Sequence, residues 1–129
     1  MPRDPSEAER EDRIRMMHML EAACRVKRYC QGMDRETLER DEMRFLAVVK
    51  SIEMIGEAAA KVSATTQTRL STIDWRGILR MRNRLIHGYD TVDPARVWDA
   101  VELDIPGLIA ALSKELGVES TAREGEERA

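Results

Sequence analysis

Five side chains with usable chemistry fall within eight residues of this chain: Arg82, Asn83, Arg84, His87 and Tyr89. Guanidinium groups bind phosphate oxygens bidentately. An imidazole titrates near neutral pH and can give or take a proton. The carboxamide of Asn83 adds a hydrogen-bond donor, and the phenol of Tyr89 adds a hydroxyl. Such a set suits cleavage of an RNA phosphodiester without a metal. RNA carries its own nucleophile, the ribose 2′-OH. A protein then needs an acid–base group and cations on the phosphoryl oxygens. No cluster of carboxylates in the sequence suggests a two-metal site, and no cofactor is called for.

The surroundings sharpen this reading. From Trp75 to Tyr89 there is no acidic residue, although Arg76, Arg80, Arg82, Arg84 and His87 all lie there. The whole chain carries a net charge of −3. On a helix, Arg76, Arg80 and Arg84 follow a four-residue step and stack on one face. Like charges so placed repel by about a few tenths of a kcal/mol per pair. They fit either a site for a polyanion or a solvated face whose arginines pair with acids on neighbouring helices, such as Glu53 and Glu57. Arg82 and His87 are separated by about 7.5 Å of rise and about 140° of rotation in an unbroken helix. They converge only if the helix loosens near Gly88, or if a second subunit supplies the complement. His87 at a helix C-terminus also feels the negative end of the dipole, which favours the imidazolium.

Helices must position these groups. A Ser6-Glu7-Ala8-Glu9 capping box predicts the start of a first helix, which Gln31-Gly32 ends. Its stripe is Met16, Leu20, Ala23, Lys27 and Cys30, widened by Met17 and Cys24. After a short turn at Asp34–Leu38, a second helix runs from about Asp41 to Val62. Phe45, Val49, Ile52, Gly56 and Ala59 form its seam, flanked by Val48, Ile55 and Val62. A stripe this wide can serve both the core and a subunit interface. Gly56 is costly inside a helix, and close approach of another backbone is the expected compensation. The Ser/Thr-rich stretch 63–73 reads as a loop. Asp74 then caps a third helix through Trp75, Ile78, Leu79, Leu85 and Ile86, ending at Gly88. Pro94 opens a fourth helix, whose inward face is Val97, Val101, Ile105, Leu108, Leu112 and Leu116. Pro106 should kink or split it.

The bulk numbers agree with one helical domain. The 129 residues are 43% hydrophobic, 35% charged and only 4% aromatic, which favours helices over a β-rich core. Residues 6–117 form the expected domain, and 1–5 and 118–129 are expected to be flexible ends. Cys24 and Cys30 make no metal-ligand cluster with His18 or His87 and read as reduced thiols. No apolar run approaches the roughly 20 residues of a membrane span, and the N-terminus lacks the apolar core of a secretory signal. A cytoplasmic protein is expected, with no membrane association.

Arg82-x-x-x-x-His87-x-Tyr89 resembles the R-x-x-x-x-H-x-Y motif of HepT-like proteins in the HEPN superfamily. Met81 to Tyr89 is similar to that family's signature block, and Ile52-Glu53-Met54-Ile55-Gly56-Glu57-Ala58-Ala59 to its second-helix block. Trp75, Val92-Asp93 and Val97-Trp98 also fit, so the resemblance spans roughly residues 11–116. Asp90 departs from it, since many relatives carry an aromatic there. So does Asp74, where a proline often precedes the tryptophan.

The resemblance implies an all-α HEPN-type bundle of four to five helices that forms a homodimer, with two motif copies lining a cleft. It implies a metal-independent endoribonuclease toxin of a type VII toxin–antitoxin pair acting on RNA. The partner would be a minimal nucleotidyltransferase antitoxin that silences the toxin by AMPylation. By the same carry-over Arg82 and His87 are catalytic and Tyr89 is the modified residue. Asn83 and Arg84 are candidates for substrate contact, and Glu57 could orient an arginine. The competing reading is a non-catalytic module that docks a nucleotide or the nucleotidyltransferase.

Overall fold

The computed structural model describes residues 5–85 and 92–118, and the described residues contain no strand. The helices are α1 (Pro5–Cys30), α2 (Arg35–Arg40), α3 (Glu42–Ala60), α4 (Ala64–Arg69), α5 (Trp75–Leu85), α6 (Pro94–Asp99) and α7 (Ile105–Leu116). One π-helical turn, Ala100–Asp104, joins the last two. This is the all-α, HEPN-like bundle expected. Its centre is the pair α1 and α3, with α5 packed on α3 and α7 on α1. No helix among the described residues is long and apolar enough to cross a membrane.

The first helix buries Met16, Met19, Leu20, Ala22, Ala23, Val26 and Cys30. Lys27, which helical spacing puts on this stripe, is exposed, and Val26 takes the inward position instead. Gly32, at φ +74°, ends the helix in the left-handed conformation. The capping role read for Ser6 rests on a side chain outside those described. Between α1 and α3 the expected turn is a short helix. Asp34 accepts from the Thr37 backbone N–H at 2.8 Å, and the Thr37 hydroxyl accepts from the Asp34 N–H at 2.9 Å. Asp41 caps α3 through the Arg44 N–H. Val48, Val49, Ile52, Ile55 and Ala59 then face the core.

The stretch read as a loop contains α4. Ser63 caps it, accepting from the Thr66 N–H at 3.3 Å. Serine and threonine are weak helix formers, so this turn depends on tertiary contacts. Asp12 of α1 supplies them. It is only 5% exposed and accepts from the Ser63 N–H at 3.0 Å and from the Ser63 and Thr66 hydroxyls. Burial works to raise its pKa, but these hydrogen bonds, with Arg69 nearby, outweigh it and hold the carboxyl below its ordinary value.

Pro106 does interrupt the last helix, and it does so through the π-turn. Proline has no N–H for the carbonyl four residues back, and the ladder slips one residue before it. The Ile105 N–H donates to Ala100 O. The buried stripe therefore steps five residues from Ala100 to Ile105, then continues through Leu108, Ile109, Leu112 and Leu116. Gly117, at φ +69°, closes α7. There the Val118 N–H reaches Ser113 O at 2.8 Å.

Candidate active site

The site is built on α5 and the face of α3 beneath it. Asp74 starts α5 as expected, its Oδ1 accepting from the Gly77 N–H at 2.9 Å. A Cβ at position 77 would overlap the Asp74 carboxylate, so the cap folds tightly over this glycine. Trp75 anchors the same end. It is 8% exposed, and its indole N–H donates to Leu70 O at 3.1 Å. Trp75, Ile78, Met81 and Leu85 then bury one face of the helix. The helix is thereby fixed in rotation, which decides where each arginine goes.

Arg82 points back across α3. Its aliphatic stem lies on Gly56: a Cβ at position 56 would overlap Arg82 Cδ and sit 2.9 Å from its Cβ and Cγ. What approaches Gly56 is this side chain rather than another backbone. The contact fixes the stem, and Arg82 lines an open cleft of about 420 Å³ together with Glu53, Glu57 and Asn83. The two glutamates are on successive turns of α3, on either side of Gly56. No carboxylate among the described residues forms an ion pair with Arg82. Arg82 and Asn83 thus share one cleft.

Arg80 and Arg84 behave differently. Arg80 pairs with Asp74 at 3.8 Å and Arg84 with Asp104 at 3.9 Å. Both have acidic partners, as a solvated face requires, but the acids are Asp74 and Asp104 and not Glu53 or Glu57. Nothing in the sequence marks Asp104, because its approach to Arg84 depends on how α5 passes the π-turn. His87 and Tyr89 fall in 86–91, outside the described residues, as do Gly88 and Asp90. Among the described residues no three His, Cys, Asp or Glu side chains gather to hold a metal.

The profile of the family described as Ribonuclease HepT-like matches residues 19–115. That span includes Gly56, the cleft residues, the Arg82-to-Tyr89 motif and Asp104. The chain belongs to this family. Within it, a Thermococcus cleftensis protein named "Probable ribonuclease HepT" is 36% identical over 74 residues, 57% of this chain and 67% of that one. A Methanocaldococcus jannaschii "Putative RNase" is 28% identical over 88 residues, covering 68% of this chain and 81% of the relative. A "Putative RNase" from Caldanaerobacter subterraneus is 32% identical over 78 residues, 60% and 70% of the two chains. No solved structure matches. The cleft of this HepT-like chain, lined by Glu53, Glu57, Arg82 and Asn83, lies within the matched span.

Proposed function

We propose that this HepT-like chain is a metal-independent endoribonuclease toxin of a toxin–antitoxin pair, acting on RNA in the cytoplasm. The observation that carries the reading is the Arg82 stem seated on Gly56, at an open cleft that Arg82 shares with Asn83. Arg82 holds the phosphoryl oxygens and stabilises the charge that grows on them. His87 moves the proton. The 2′-oxygen attacks the adjacent phosphorus and gives up its proton. The P–O5′ bond breaks, the leaving 5′-oxygen takes a proton, and the products are a 2′,3′-cyclic phosphate and a 5′-hydroxyl. A defined single-stranded RNA incubated with the unmodified protein in EDTA tests this. Binding without cleavage would favour the docking module instead.

The active unit is a homodimer. Support comes from α3, where Met43 is 85% exposed, Leu46 56% and Met54 40% on the helix that carries Glu53, Gly56 and Glu57. A second copy over this face would bury the apolar side chains and bring its own motif to the cleft edge. Light scattering should give twice the chain mass at micromolar concentration; a monomer would remove this part of the reading.

Gly56→Ala isolates the Arg82 seat. Alanine favours the α3 helix by roughly 0.5–1 kcal/mol over glycine, and overpacking against Arg82 costs about 1–3 kcal/mol. The fold should survive, with a modest change in melting temperature. The Arg82 stem must lift, and cleavage should fall by about tenfold or more, since small misplacements of a catalytic group are expensive. Full activity in a folded Gly56→Ala protein would show that the seat does not position the guanidinium.

A further inference from the structure

On the side of α5 away from Gly56, Arg84 meets the π-turn. Its guanidinium lies 3.9 Å from Asp104, and both side chains remain substantially exposed, at 57% and 41%. Arg84, Arg96, Asp99 and Asp104 line one small hollow with Met81, Ala100 and Leu103. Arg96 is held in turn by Asp93 at 3.7 Å. The extra residue of the π-turn sets the phase at which Asp104 precedes the inward Ile105, and so turns its carboxylate toward α5. Such turns are frequent at functional sites.

We propose that Asp104 is a positioning residue that holds Arg84 against the π-turn and yields it to an RNA phosphate as the strand leaves the Arg82 cleft. The inference rests on the ribonuclease reading above and names a second phosphate subsite for it. Three observations support it. Arg84 is about 3 Å further along α5 than Arg82 and roughly 200° round it, so a strand that crosses α5 from the cleft over the exposed Asn83 meets it next. The pair is long and exposed, and an exposed pair is weak enough to exchange. Asp104 also sits among other carboxylates, which disfavour its charge. Burial raises its pKa, Arg84 lowers it, and the neighbouring Asp74 and Asp99 raise it again, for a net shift upward. A phosphate offers Arg84 a bidentate partner that bears a permanent charge. Asp104 therefore acts as an internal competitor of the substrate, setting affinity and leaving the chemical step alone.

The test is steady-state cleavage of one single-stranded RNA by the intact protein at several salt concentrations. Asp104→Asn should lower KM by about two- to fivefold, the scale of one exposed ion pair, with kcat within about twofold of wild type. Its affinity should fall more steeply with salt, by about 0.7 in the log–log slope, because Arg84 then releases a counterion on binding. Asp104→Glu, which can rebuild the pair, should return KM to the wild-type value and shows whether the loss of the pair matters rather than a disturbed fold. In an Arg84→Ala background, Asp104→Asn should change nothing. An equal drop in KM in that background would mean a general charge effect and overturn the proposal. So would an unchanged or higher KM in the single variant. If the wild-type protein neither binds nor cuts RNA, the functional reading falls and this inference with it. If wild type cuts and only the Asp104 effects fail, the inference alone falls.

Discussion

Arg82→Ala and His87→Ala should each lower RNA cleavage in EDTA by about 100-fold or more, the scale for losing a charge clamp or an acid–base group. The fold should persist in both. Arg82 is half-buried, and its loss uncovers only the strip of α3 around Gly56. The buried face of α5, with Trp75, Ile78, Met81 and Leu85, is untouched. Circular dichroism should therefore be unchanged while turnover collapses. The two losses should not add in the double variant, because groups that act in one step are removed together. Arg82→Lys should recover little, since an ammonium cannot make the bidentate contact. Cleavage that persists in both alanine variants, or that needs magnesium, would reject the mechanism.

Modification of Tyr89 should abolish cleavage altogether. A partner nucleotidyltransferase with ATP would join AMP to the phenol oxygen, with pyrophosphate leaving and the phenolic proton lost. The new phosphate would stand within a few residues of Arg82, Arg84 and His87 in the chain. Its charge would compete for the cations that hold the RNA backbone, and the adenosine would fill space that the strand needs. Incubation with that partner and ATP should raise the mass of the chain by one or more AMP units and silence it. Tyr89→Phe should keep the fold and escape both effects. AMP found on another residue, or equal silencing of the phenylalanine variant, would remove Tyr89 from the regulatory role.

The helices with strong apolar stripes are legible in the residue pattern alone. Their neighbours are less so, for identifiable reasons. Lys27 sits at helical spacing from Ala23, but charge keeps it in water and Val26 packs instead. The helix α4 is invisible in a Ser/Thr-rich run, because its support comes from Asp12, more than fifty residues earlier. Pro106 marks an interruption, yet the form it takes, a π-turn that slips the ladder to Ala100, depends on what the flanking turns bury. Gly56 marks a close contact. Its partner, the Arg82 stem, lies 26 positions away and is evident only once α5 lies on α3. Arg82 and Asn83 do share a cleft, whereas Arg84 turns to Asp104, which no local pattern marks. The motif suggests phosphodiester chemistry through its residue types, with guanidinium, amide, imidazole and phenol within eight residues, and the same types also suit a docking module.

The central claim is that the substrate's own 2′-hydroxyl is the nucleophile at the Arg82–His87 site. A single-stranded RNA is first cut by the unmodified protein in EDTA, and the scissile ribose is located by mapping the ends. The same strand is then made with one 2′-deoxy sugar at that position. The account predicts a cyclic phosphate and a 5′-hydroxyl from the first strand and no cut at that position in the second. Cleavage at the deoxy position, or cleavage of either strand only when a divalent metal is added, would contradict it.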